Sequence, residues 1–229
     1  MLTQTTTHGV SSRQTGRGTP AAPPVGIHAL SGPIELMGAS MSFGRNTEIY
    51  GEGEPADYLY KLVSGTVRTY KVRSDGRRQI GAFYLPGDIF GLEMGDEHTF
   101  SAEAITDSKV LVIKRSAVIG LAARDNDVAR QLWTLTGCEL QRTQDHILLL
   151  VKTAQERVAS FLLEMAARMP AGNAVELPMS RQDIADYLGL TIETVSRTLT
   201  HLENAAAIEL PSSRRIVLRN RTALGRLNG

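Results

Sequence analysis

Residues 179–202, MSRQDIADYLGLTIETVSRTLTHL, predict two short helices joined by a tight turn. Ser180 is an N-cap residue, and Asp183, three positions on, is the acidic half of a capping-box-like pair. Ile184, Ala185 and Leu188 then share one helical face. Gly189 supplies a left-handed or close-packed turn that a side chain would obstruct. Thr191 caps the second helix, Glu193 lies in its first turn, and Val195, Leu199 and Leu202 return to a core. The spacing of Ala185, Gly189 and Val195 fits two helices packed nearly perpendicular, with the second free to enter a major groove.

The exposed face of that second helix carries Thr191, Glu193, Thr194, Ser196, Arg197 and Thr200. A helical hairpin with an ordinary polar surface would show the same packing pattern. The E-x-x-S-R run favours DNA: Arg197 suits guanine O6/N7, Glu193 suits cytosine N4, and Ser196 suits a thymine methyl. Arg181, Thr191 and Thr194, with Arg214 and Arg215 further on, are candidates for backbone phosphate contacts.

Ile192–Arg197, IETVSR, resembles the recognition helix of the Crp–Fnr transcription regulators in their FixK-like branch. That branch carries E-x-x-S-R where the cyclic-AMP receptor branch has E-x-x-G-R. The resemblance runs from about Ile34 to Leu218. It implies an α+β protein: an N-terminal cyclic-nucleotide-binding-like β jelly roll, a long dimerisation helix and a C-terminal winged helix-turn-helix. It implies a homodimer, chiefly an activator, whose partner is double-stranded palindromic DNA of the TTGA…TCAA type. It also implies contact with RNA polymerase, through the loop Gly95–Thr99 and the turn at 170–173. The genes implied are those of low-oxygen metabolism or nitrogen fixation.

A chain of 229 residues suits two small domains. The expected division is a flexible tail at 1–32, a β-roll at 33–124, a dimerisation helix at 125–152 and a DNA-binding domain at 153–229. Net charge is +1, so overall charge does not announce a nucleic-acid partner. Charge distribution does, because Pro211 to Gly229 holds five arginines and no acid. No run of about 18 apolar residues and no signal pattern is present, which points to the cytoplasm and to no membrane partner.

Residues 1–32 are rich in Thr, Ser, Gly and Pro and lack hydrophobic period. Relatives of the Fnr type carry cysteines there for an iron–sulfur cluster. This stretch has none, so that sensing mode is not expected. The single cysteine, Cys138, allows no intrachain disulfide. Glu139 beside it works against thiolate activation, and Cys138 is expected to be structural.

Between 33 and 113 short alternating runs are punctuated by glycines, which means a sandwich or barrel. Tyr58, Tyr60 and Leu62 mark one strand face and Val67 and Thr69 another. Ser74-Asp75-Gly76 is a hairpin signal. In the cyclic-AMP branch an arginine beside a Ser-Ala pair holds the phosphate. Here Phe100 precedes Ser101-Ala102, no arginine lies between Phe90 and Ile113, and Glu93 would repel an anion. No cyclic nucleotide and no bound cofactor is therefore expected. A metal-binding enzyme on this roll is disfavoured too, since it holds one histidine, His98, read as a surface loop residue.

A short helix at Ser116–Ala123 precedes a long one from about Asp125 to Leu150. Trp133, Thr136, Leu140, Thr143, Ile147 and Leu150 keep heptad steps and predict a dimer seam, which the two threonines weaken. Val128, Leu132 and Leu135 form a second stripe to cover the roll. One wide stripe facing only the roll is the plainer alternative. Beyond a break near Lys152–Thr153, Val158, Phe161, Leu162 and Met165 supply the core of the DNA-binding domain. IELPSSRRIVLRN reads as strand, turn and strand, the wing, with Arg214 and Arg215 at its tip. Two rivals stay open: a regulator gated by a small molecule in the roll, and a nucleotide-binding subunit that acts on another protein.

Overall fold

The structure, a computed structural model, describes residues 33–169 and 172–227. The expected tail and residues Pro170 and Ala171 of the expected turn lie outside the described residues. After α1 (Pro33–Leu36) come β1 (Ala39–Phe43), β2 (Glu48–Tyr50), β3 (Tyr58–Ser64), β4 (Val67–Val72), β5 (Arg78–Tyr84), β6 (Ile89–Phe90), β7 (Ser101–Ala104) and β8 (Ser108–Lys114). They form two antiparallel four-stranded sheets, ordered β1-β8-β3-β6 and β2-β7-β4-β5. Glycine is required between β3 and β4. Gly65 has φ +91°, and a Cβ there would lie 2.5 Å from the Asp107 carbonyl oxygen. The hairpin between β4 and β5 turns at Ser74-Asp75-Gly76, with Gly76 at φ +79°.

Tyr50, Tyr60, Leu62, Val67, Phe90 and Val110 share the core of the roll. Tyr58 is exposed, whereas Leu59, on the opposite face of β3, is buried in a second cluster with Ile89 and Ile113. In β4, Val67, Arg68 and Thr69 are buried in succession, so the alternation expected of a half-exposed strand is lost. His98 corrects the sequence reading. It is 2% exposed, and its ring stacks on Tyr50 with centroids 3.6 Å apart. Backbone bonds from Gly53 N–H to the His98 carbonyl and from His98 N–H to the Glu54 carbonyl pin its loop against the roll.

Arg115–Ala122 forms α2, and Asn126–Leu150 forms α3. The Asp125 carboxylate caps α3 by accepting from Asp127 and Val128 N–H. Val128, Leu132 and Leu135 pack on the cluster around Leu59, Ile89 and Ile113. The opposite stripe faces outward: Trp133 is 83% exposed, and Thr136, Leu140, Thr143 and Ile147 are exposed with it. The Thr136 and Thr143 hydroxyls donate to the Leu132 and Glu139 carbonyls at 2.9 Å. Their polar atoms are thus bonded within the helix. Leu150, the last residue of the expected seam, differs from the others. It is half-buried, and its Cδ2 lies at the Gly189 turn, where α3 ends. Leu148 and Val151 are the exposed apolar residues at that end. Cys138 is exposed and joins no core, so the structural role expected of it is not seen.

Next come α4 (Ala154–Arg168), β9 (Ala174–Glu176), α5 (Arg181–Leu188), α6 (Ile192–Asn204), β10 (Ile208–Glu209), β11 (Arg215–Leu218) and α7 (Arg221–Leu227). A full capping box, Thr153 with Glu156, starts α4. Val158, Phe161, Leu162 and Met165 pack with Ile184, Val195, Leu199 and Leu202. The same core takes in Ile80 and Phe83 of the roll, with the Phe83 ring 5.2 Å from Tyr187 and 6.2 Å from Phe161. No described helix is long and apolar enough to cross a membrane.

The His146 ring of α3 lies tilted against Tyr187 with centroids 4.3 Å apart, and burial pushes its pKa down. The folded state thus favours neutral imidazole. The stability this confers is full above the ordinary histidine pKa, about 6.5, and is lost as pH falls below it. His146→Phe should therefore flatten the slope of unfolding free energy against pH between about pH 7 and pH 5 in urea titrations. Some slope should remain from His98, whose pKa burial also lowers. An unchanged slope would contradict the assignment.

Candidate nucleic-acid interface

The interface begins with backbone chemistry local to residues 180–194. Ser180 and Asp183 form the expected capping box: Asp183 N–H donates to the Ser180 hydroxyl at 3.1 Å, and Ser180 N–H to Asp183 Oδ2 at 2.9 Å. Gly189 ends α5 in the left-handed conformation, φ +62° and ψ +37°, and its N–H reaches the Ala185 carbonyl. Thr191 caps α6 by accepting from Thr194 N–H at 3.2 Å. Arg157 braces the turn, since its Nη1 donates to the Leu188 carbonyl and its Nε to the Lys152 carbonyl, both at 2.8 Å.

Val195, Leu199 and Leu202 point into the core, which leaves the opposite side of α6 outward. Glu193 and Arg197 are exposed there and Ser196 is half-buried. Hydrogen bonds from its own backbone N–H and from Thr191, with Arg197 one turn on, hold the Glu193 carboxyl below the usual range. It is an acceptor at neutral pH, beside a permanent donor.

Thr191 is exposed and Thr194 half-buried at the start of α6. Arg181 is half-buried at the first position of α5. Strands β10, β11 and β9 make a three-stranded antiparallel sheet, the wing. Arg214 closes its loop and Arg215 opens β11, both exposed, with N–H groups directed at the Ser212 hydroxyl. Arg197 of α6 and the wing arginines Arg214 and Arg215 are thus brought onto one domain. Of the other tail arginines, Arg219 is paired with Glu209, and Arg221 donates to the Gly172 carbonyl.

A charged junction behind α5 was missed from the sequence. Arg68 donates to Asp183 at 2.6 Å and to Glu103 at 2.9 Å. Arg78 reaches Asp183 at 2.6 Å and Asp186 at 2.9 Å. Arg168 of α4 pairs with Asp88 of the roll. Arg68 is 9% and Asp183 3% exposed. Removing one partner of such a buried pair costs about 3–5 kcal/mol, because an uncompensated charge stays behind.

The comparisons agree with this arrangement. Residues 156–227 match the Crp-like helix-turn-helix domain and residues 40–125 the cyclic nucleotide-binding domain. The chain belongs to the Crp–Fnr family of transcription regulators. It is 54% identical over 201 residues to the nitrogen fixation regulation protein FixK of Azorhizobium caulinodans, covering 85% of this chain and 81% of that one. The FixK of Rhizobium meliloti is 40% identical over 196 residues, 84% of this chain and 90% of that one. The solved structure of FixK2 from Bradyrhizobium japonicum superposes with a TM-score of 0.81 at 53% identity, covering 84% of this chain and 98% of that one. As a Crp–Fnr regulator the chain binds DNA through its helix-turn-helix and is not an enzyme.

The roll of this Crp–Fnr protein and α3 together line a half-open cavity of about 630 Å³. Tyr50, Tyr84, Phe90 and Phe100 supply aromatic walls, and Glu93 and Glu139 supply carboxylates. Phe100 stands beside Ser101-Ala102 and packs over Gly81. One cation does enter, Arg142 from α3, which the sequence reading did not place here. It pairs with Glu139 at 2.9 Å and Asp88 at 3.5 Å, and lies 5.3 Å over the Tyr84 ring. Burial raises the Glu139 pKa, with Arg142 opposing.

Proposed function

We propose that this regulator is a homodimer, chiefly an activator, that reads a TTGA…TCAA-type palindrome without a bound cofactor. The observation that carries the reading is the outward face of α6, where Glu193 and Arg197 are exposed and Ser196 half-buried, opposite a fully packed side. Arg197 would read guanine, Glu193 cytosine N4 and Ser196 a thymine methyl, with about 1–3 kcal/mol of discrimination for each good bidentate pairing. Thr191, Thr194, Arg181, Arg214 and Arg215 would hold the phosphates and set the salt dependence. The working division is a β-roll at 33–124, a dimerisation helix at 125–152 and a DNA-binding domain at 153–229, preceded by a tail at 1–32.

The exposed stripe Trp133, Thr136, Leu140, Thr143 and Ile147 supports pairing of two α3 helices. That pairing places two recognition helices one DNA turn, roughly 34 Å, apart. The names of the FixK relatives support control of nitrogen-fixation or low-oxygen genes in the cytoplasm. RNA polymerase would be met through the loop Gly95–Thr99 and the turn at 170–173. Phe100 beside Ser101-Ala102, with Glu93 and the already paired Arg142, argues against a cyclic nucleotide. The size of the roll cavity favours one second reading, a regulator gated by an uncharged or cationic small molecule.

Arg197→Ala should relax preference at a single base position by about 1–3 kcal/mol and leave dimerisation intact, read by competition against single-substituted duplexes. Equal loss on every sequence would show a phosphate contact instead. Leu140→Asp with Ile147→Asp should yield a folded monomer with poor palindrome affinity. An unchanged dimer in sedimentation would remove the seam.

A further inference from the structure

Asp183 is shared by two structures at once. Its Oδ2 accepts the Ser180 N–H at 2.9 Å and the Ser180 hydroxyl at 2.8 Å, which starts α5. Its Oδ1 accepts Arg68 Nη1 from β4 and Arg78 Nη2 from β5, each at 2.6 Å. Beside it, Arg78 Nε donates to Asp186 at 2.9 Å, and the Gln79 amide donates to the Asp186 carbonyl at 2.8 Å. The roll thus grips the first helix of the helix-turn-helix by charge-assisted bonds from both strands of one hairpin.

The covalent link from α3 to the DNA-binding domain is short: Val151, Lys152 and the capping residue Thr153. Such a joint leaves rotation free unless packing restrains it. Arg157 braces the joint itself. Orientation beyond it must come from a body that is rigid with α3. The roll is that body, because Val128, Leu132 and Leu135 fasten α3 to it.

We propose that Arg68, Arg78 and Gln79 are positioning residues for DNA binding, which set the angle of the helix-turn-helix to α3 and so the separation of the two recognition helices. The inference rests on the dimeric, palindrome-reading function proposed above. None of the three side chains lies on the outward face of α6. Their effect falls on the spacing between half-sites, where adding one base pair moves a half-site by about 3.4 Å and turns it by roughly 35°. An arginine fork suits Arg68, which must reach Asp183 and Glu103 from one side chain.

The test titrates the wild type and an Arg78→Met, Gln79→Leu double variant against TTGA…TCAA duplexes whose spacers differ by single base pairs, and against a lone half-site. In the variant, preference for the best spacer over its neighbours should fall by roughly tenfold, about 1.4 kcal/mol, while half-site affinity and base preference stay as in the wild type. Arg78→Lys with Gln79 intact should restore part of the preference. Both altered residues are half-buried on β5, outside the core of the DNA-binding domain. Arg68→Met is the stronger variant; if circular dichroism shows it unfolded, the β5 variant decides alone. Equal weakening on every duplex would reduce the junction to a stabilising one. Tighter palindrome binding would mean that it holds an arrangement unable to engage DNA. Unchanged spacer preference would remove the role. A wild type with no palindrome preference would instead remove the dimeric reading, and this inference with it.

Discussion

The roll with α3 and the DNA-binding domain are joined by a short link, and the arrangement depends on what closes the space beside it. Ile80 and Phe83 of the roll sit in one apolar cluster with Phe161 and Tyr187 of the DNA-binding domain. Around that contact Asp183 is bonded to Arg68 and Arg78, and Asp88 to Arg168. Apolar burial is non-directional, whereas the paired arginines prescribe an angle as well as a distance. The roll therefore serves this regulator as a platform as well as a fold.

Helix α3 carries the second constraint. Its inner stripe is buried on the roll, while Trp133, Leu140 and Ile147 remain exposed on the outer one. Large apolar groups in a row along a helix stay in water only at a cost, which the proposed pairing with a second copy of the same stripe would remove. The helix ends at Leu150, which lies at the Gly189 turn and so joins α3 to the helix-turn-helix. The proposed pairing and DNA reading would thus be connected through few side chains.

What was legible in the sequence was local. Ser180, Gly189, Thr191 and Val195 act on neighbours within one or two helical turns, and each stands as its residue type predicts. The hairpin at Gly76 and the inner stripe of α3 were legible for the same reason. The junction was not. Arg68 and Asp183 lie 115 positions apart, and a strand arginine gives no sign that its face will be covered by another domain. His98 was misplaced because its burial comes from backbone bonds to Gly53 and Glu54, which leave no mark on composition. That Leu150 also lies at the Gly189 turn depends on where the helix stops, which its heptad step does not announce.

The most direct measurement is a binding titration of the purified, additive-free protein to a TTGA…TCAA palindrome and to a scrambled duplex at two salt concentrations. The account predicts tight binding that prefers the palindrome and weakens with salt, with a log–log slope near −0.9 for each phosphate neutralised. Weak binding, or equal binding to both duplexes, would contradict it and would direct attention to an occupant of the roll cavity.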